Sequence, residues 1–178
     1  MQPIDNANRI AIVGAGGQFG RHLCESLGEA AIGLRRHQLD IASRAQVQST
    51  LLRLRPRLII NAAAFTNVDG AEDEVAKCRA VNVDGVAHLT EVCRAIECPL
   101  VHISTDYVFG GDTLRRQPYR EDDAPQPVNA YGRAKLEGEA IAGEWPQTFI
   151  IRTCGLYGGM GEADRPRNFV GAMMQLAK

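Results

Sequence analysis

Short apolar runs alternate along this chain with stretches whose apolar residues recur at helical spacing. Residues 10–13, 31–34, 58–61, 100–104 and 148–152 form the runs. They are apolar without a polar face, the pattern of strands buried on both sides. Between them, 17–27 carries Leu23 and Leu27 four apart, and 43–54 opens on Ser43, a good N-cap, and stops at Arg55-Pro56. Residues 74–96 read as one long helix closed by Pro99, 129–143 as another, and a last helical pattern starts at Asn168. The alternation predicts an α/β fold, a doubly wound parallel sheet covered by helices on both faces, in the order 3-2-1-4-5. Residues 110–129, rich in Gly, Pro, Asp and Arg, read as a long loop after the fourth strand, and loops of that length tend to be functional.

Composition narrows the class. The 178 residues suffice for one well-buried domain and are short for two. A net charge of −1 gives no broad surface for nucleic acid or membrane. No apolar run approaches the roughly 20 residues of a membrane helix, and the N-terminus lacks signal-peptide order. The five cysteines form no C-x-x-C pair. They read as small core residues rather than as a disulfide framework or a metal site, and a cytoplasmic location fits them.

The first strand runs straight into Gly14-Ala15-Gly16-Gly17-Gln18-Phe19-Gly20 and then a helix. A pyrophosphate must approach main-chain N–H groups at a helix N-terminus, where side chains would block it. This is the context in which a glycine cluster means more than a tight turn. The second strand ends in Arg35 and Arg36 without an adjacent acid. Two guanidinium forks suit a 2′-phosphate and favour NADP(H) over NAD(H), and the alternative is a solvated basic loop. Asp40 is placed either to meet adenine or to cap a turn.

Tyr131 and Lys135 lie at i and i+4 on a predicted helix, hence on one face. Free tyrosine, with a pKa of about 10, is a poor acid–base group at neutral pH, and a nearby ammonium lowers that value. Lysine can also donate to ribose hydroxyls, and tyrosine can protonate a carbonyl oxygen. Thr105 ends the fourth strand, at the sheet edge where ligands of open α/β sheets bind. Its hydroxyl could orient a substrate oxygen toward Tyr131. Alone, each of these residues has an ordinary structural explanation. In this order, after the glycine turn, they point to chemistry.

Together these stretches resemble the extended short-chain dehydrogenase/reductases, and within them the dTDP-4-dehydrorhamnose reductase group. The resemblance rests on G-x-x-G-Q-x-G at 14–20, Q-L-D-I at 38–41, N-A-A-A-F-T-N-V-D-G-A-E at 61–72, V-N-V at 81–83, S-T-D-Y-V-F at 104–109, the segment from Tyr131 through Lys135 to Glu139, and Arg152-Thr153. It implies a Rossmann-like fold and the catalytic triad Thr105, Tyr131 and Lys135. It also implies that Gly14, Gly17, Gln18, Phe19 and Gly20 form the pyrophosphate turn. Asp40 and Ile41 would meet the adenine, and Ala62, Ala63 and Ala64 would line the cofactor path. Thr105, Asp106 and Tyr131 would face the sugar, and Asn82 would bend and hydrate the long helix. The implied reaction is reduction of a nucleotide-linked 4-keto-6-deoxysugar, with hydride to C4 and Tyr131 as proton donor. A homodimer is compatible with it.

Two departures from the group stand out. Cys154-Gly155 replaces the usual Ser-Trp whose indole packs on the sugar, and 158–167 looks longer than usual. Family members also continue into a substrate lobe, whereas this chain stops at Lys178. Residues 1–178 are therefore expected to be one NAD(P)-binding domain, truncated before that lobe and inactive alone. The alternative reading is a non-catalytic NADP-binding regulator resembling the methionine adenosyltransferase regulatory subunit.

Overall fold

The structure, a computed structural model, describes residues 8–156. Five strands, β1 (Ile10–Val13), β2 (Ala31–Leu34), β3 (Leu58–Asn61), β4 (Leu100–Thr105) and β5 (Thr148–Thr153), form one sheet in which every pairing is parallel. Successive residues of β1 serve opposite faces. Ala11 and Val13 join a core with Val47 and Leu51 of α2 (Arg44–Leu54) and Val86, Leu89 and Val92 of α5 (Gly85–Ala95). Ile10 and Ile12 pack with Leu23 and Leu27 of α1 (Gln18–Leu27) on the other side. Burial on both faces is why these strands carry no polar alternation.

The strand order is β2-β1-β3-β4-β5, not the predicted 3-2-1-4-5. The segment after β2 decides this. Gln38 and Leu39 donate back to the Arg35 carbonyl, and Leu39 and Ile41 turn into the core. That segment makes a compact turn and lays no strand outside β2, so the chain crosses over through α2 to the far side of β1. The order of strands therefore reverses between β1 and β3, the switch point at which open α/β sheets bind ligands.

The predicted helix 74–96 is broken. After a short α3 (Gly70–Asp73), it comprises α4 (Val75–Arg79), a π-helical turn over Ala80–Asp84, and α5. Buried Asn82 sits in the wide turn and clamps the loop after β3, accepting from Phe65 N at 3.0 Å and donating to Phe65 O at 3.1 Å. Extra residues in one turn bend a helix, and such bulges concentrate at functional sites. α6 (Ala130–Gly143) crosses close to this bend: a Cβ on Gly138 would lie 2.3 Å from Asn82 O. The helix patterned from Asn168, and the stretch 158–167, lie outside the described residues. At the sheet edge, β5 leaves Phe149, Ile150 and Ile151 exposed.

Candidate active site

The β1–α1 turn is shaped by its backbone. Gly14 has φ +84°, and a Cβ there would lie 2.6 Å from Ala63 N, so the loop after β3 closes directly over it. A Cβ on Gly20 would lie 2.4 Å from Gly14 O. Only glycine permits both approaches. The amides of Gly14 and Ala15 donate to Leu34 O, at 3.0 and 3.1 Å, and Gly17 N donates to Gly14 O at 3.0 Å. Gly14 and Gly17 therefore give the turn its shape rather than donors. Gln18, Phe19 and Gly20 supply the leading N–H groups of α1, whose N-cap Gly17 offers no side chain to occupy them. This cradle, kept clear of side chains, fits a dinucleotide pyrophosphate.

The remaining cofactor-side residues divide. Arg35 is exposed beside Gly16 and lines a cavity of ≈ 330 Å³ with Arg21, Cys24 and Gly33. Arg36 is exposed but reaches back to Asp40, Nε to Oδ2 3.2 Å. Asp40 also accepts from Ala42 N, so it does cap a turn. The Ile41 side chain is buried against Gly85, and its carbonyl accepts from His88 Nδ1 at 2.9 Å. That leaves main chain rather than side chain at Ile41 to meet a ligand. Ala62, Ala63 and Ala64 are half-buried at the carboxyl end of β3, beside the glycine turn.

Of the sequence-derived triad, Thr105 and Tyr131 come together, while the Lys135 amine turns to Ile103 O. Thr105 ends β4, its hydroxyl accepting from Tyr107 N at 3.2 Å and lying near enough to the Tyr131 phenol to lower its pKa. α6 begins at Asn129, which caps Gly132 N at 2.7 Å, while Glu72 accepts from Ala130 N at 2.6 Å. Gly132 lets the helix press on β4, since a Cβ there would lie 2.2 Å from Tyr107 O. This docking puts Tyr131 against Thr105. Tyr107 meets Tyr131 edge to face, with centroids 5.7 Å apart. Asp106 is exposed at the same corner, with Oδ1 accepting from Thr105 Oγ1 at 3.2 Å.

One electrostatic expectation is corrected. The Tyr131 pKa is raised, not lowered: burial pushes it up, and the Thr105 hydrogen bond offsets this only in part. The lysine gives no compensating pull because it points elsewhere. Lys135 is 2% exposed, and its Nζ donates to Ile103 O at 2.7 Å. Burial lowers its pKa to about 8, against the pull of Glu139 and Cys78.

Sequence reading missed the polar framework behind the triad. Glu139, buried one turn beyond Lys135, takes a two-pronged bond from Arg152 of β5, Nε 3.0 Å and Nη2 2.7 Å, and another from the Ser104 hydroxyl. Arg152 also donates to Glu121 O at 3.0 Å and lies over the Phe109 ring, which stacks on Tyr119, which in turn carries Arg115. The 110–129 loop is thus tied to β5, the strand paired with the one that ends in Thr105. The i, i+4 spacing of Lys135 and Glu139 was visible in the sequence. Their separate partners were not. Among the described residues no helix is long and apolar enough to cross a membrane, and no acidic, histidine or cysteine cluster could hold a metal.

A family model described as RmlD substrate binding domain matches residues 8–178. The dTDP-4-dehydrorhamnose reductase of Mycolicibacterium smegmatis is 41% identical over 175 residues, covering 96% of this chain and 51% of that protein. That of Streptomyces griseus is 43% identical over 173 residues, covering 94% and 55%. The crystal structure of dTDP-4-dehydrorhamnose reductase from Bacillus anthracis in complex with NADP superposes with a TM-score of 0.86 at 39% identity, covering 95% of this chain and 59% of that one. UDP-glucose 4-epimerase from Brucella ovis in complex with NAD shares the fold, with a TM-score of 0.77 at 24% identity. The chain spans little more than half the length of these relatives.

Proposed function

Because the chain belongs to the RmlD substrate binding domain family, we propose that it is the NADP(H)-binding part of a reductase acting on a nucleotide-linked 4-keto-6-deoxysugar. The observation that carries this reading is the placing of Tyr131 against Thr105 at the carboxyl ends of the strands, beside the glycine cradle, with Lys135 one helical turn on. The relatives called dTDP-4-dehydrorhamnose reductase, one of them solved with NADP, support the substrate class and the cofactor. The leading amides of α1 would hold the pyrophosphate, and Ala62 to Ala64 would flank the path onward. Arg35, beside Gly16, would favour the 2′-phosphate of NADP(H) over NAD(H).

When bound, the nicotinamide supplies the hydride that reduces C4 of the sugar. Tyr131 gives its phenolic proton to the carbonyl oxygen, leaving a hydroxyl on C4 and a phenolate on the protein. The raised pKa keeps Tyr131 protonated before the step, as a proton donor requires. Thr105, beside the phenol, would hold the same oxygen in line. Lys135 would donate to the ribose and steady the phenolate. Asp106, exposed at that corner, would face the sugar.

Calorimetric titration of this chain with NADPH and NADH, followed by NADPH oxidation with a dTDP-4-keto-6-deoxysugar, tests the proposal. NADPH binding at least tenfold tighter than NADH, about 1.4 kcal/mol, is expected, with negligible sugar-dependent oxidation by residues 1–178 alone. Absence of binding to either dinucleotide overturns it.

A further inference from the structure

Behind the triad a line of buried polar side chains runs from β3 through β4 to α6. Asn61 ends β3 and is 1% exposed, His102 on β4 is 0% exposed, and Lys135 is 2% exposed. We propose that Asn61 and His102 are positioning residues that set the charge of Lys135, by holding a histidine N–H against its amine. The catalytic consequence rests on the reading of Lys135 as a triad member, whereas the charge of Lys135 can be measured without it.

The hydrogen bonds fix the direction of the line. Asn61 Oδ1 accepts from Ala63 N at 3.1 Å. Flipping the amide would set its NH2 against that backbone N–H, so Nδ2 faces His102, 3.1 Å from Nδ1. An amide NH2 only donates, so Nδ1 must accept. Burial and Lys135 drive the histidine pKa down to about 3, so the ring is neutral and carries its one proton on Nε2. Nε2 lies 3.5 Å from Lys135 Nζ. An ammonium has three donors and no lone pair, so it opposes a second donor. A neutral amine accepts the ring proton while still donating to Ile103 O, 2.7 Å away.

The other groups around the lysine are few. On its own helix are Tyr131 and Glu139; Glu139 favours the charged form but is already shared by Arg152 and Ser104. From α4 comes Cys78, and from β4 only His102. Burial and the opposed N–H therefore stand against Glu139 and Cys78, which leaves the lysine near the balance point between its two forms. Asn61 also opens the segment Ala62–Ala64, since its carboxamide holds Ala63 N. A ligand that shifts that segment would alter the histidine tautomer and, through it, the charge beside Tyr131.

The chain holds only three lysines, Lys77, Lys135 and Lys178, so carbon-13 spectra of lysine-labelled protein resolve each titration. Lys135 is assigned by its loss in Lys135→Arg. The full chain is expected to show Lys135 titrating near 8, below the ordinary lysine value of about 10.4. Nitrogen-15 spectra should show His102 protonated on Nε2. His102→Phe removes the opposed donor and raises the Lys135 midpoint by about one pH unit. Asn61→Asp still accepts from Ala63 N but accepts from Nδ1 as well, reversing the tautomer and raising the midpoint further. A His102 proton on Nδ1 in the unaltered chain, or an unmoved Lys135 midpoint in a folded variant, overturns the proposal. If neither variant folds, the tautomer in the unaltered chain decides alone. Failure of the reductase reading would appear in turnover and leave these spectra unchanged.

Discussion

The glycine turn and the triad corner sit side by side at the carboxyl edge of the sheet, yet they are built by different means. The turn is made of backbone. Its shape comes from Gly14 and Gly20, which admit contacts no side chain would allow, and it spans seven consecutive residues. The corner is made of side chains from β3, β4, α6 and β5, each held by a partner far away in sequence. A site of the first kind tolerates changes in its surroundings but no change at its glycines. A site of the second kind depends on residues that never touch a ligand.

Chemistry at the corner should show the largest effect. In any form of the protein that reduces the sugar, Tyr131→Phe removes the proton donor and is expected to lower kcat by roughly 10²–10⁴-fold with the fold retained. Steady-state turnover checks it, and near-normal rates would dissociate the corner from the chemistry. Next is the support behind it. Arg152→Ala strips buried Glu139 of its two-pronged partner, and leaving a buried carboxylate unpaired costs about 3–5 kcal/mol. Urea unfolding reads this directly, whereas a loss below about 1 kcal/mol would class the pair with surface ion pairs.

Gly14→Ala sharpens the contrast from the other side. Alanine at φ +84° facing Ala63 N is strained by about 1–3 kcal/mol, and dinucleotide binding should fall with stability. A calorimetric titration that matches the unaltered chain would show that the turn yields.

Lys135 adds a pH signature. Its folded pKa of about 8 lies below the unfolded value, about 10.4. Between the two the unfolded chain binds more protons, so this group makes stability rise with pH across that window. Relative to Lys135→Met, the unaltered chain should gain on the order of 2 kcal/mol from pH 8 to 10. Titrations common to both proteins cancel in that difference. The smallest effect is expected at the rim. Arg35→Ala should weaken NADPH about tenfold and leave NADH unchanged. Arg36→Ala should do less, because that side chain is exposed and already engaged with Asp40.

Much of the fold was legible along the chain because its elements are local. The five strands and the helices α1, α2 and α6 lie within a residue or so of the predicted bounds. Burial on two faces writes an apolar run, and caps such as Ser43 and Asn129 write a start. Periodicity read 74–96 as one helix, and only the resemblance put a bend at Asn82, because the break depends on Asn82 bonding Phe65, seventeen residues earlier. The strand order was misread because β3 pairs with β1 rather than with β2, a choice between neighbours that the apolar runs do not record.

The candidate triad was proposed from spacing and resemblance, since Thr105 ends a strand and Tyr131 and Lys135 lie on one helix. Their electrical state was not. Periodicity tells which residues share a face, and a glycine pattern tells where the backbone must come close, for both are set within a few residues. A pKa depends on what surrounds a group in three dimensions. Only the packing of α6 against β4 buried Tyr131 enough to raise its pKa, and turned Lys135 toward Ile103 O and His102 instead of toward the phenol. His102 itself drew no notice in the sequence, because a histidine in an apolar strand acquires a role only when the neighbouring strand sets Asn61 against one ring nitrogen and a helix sets a lysine against the other.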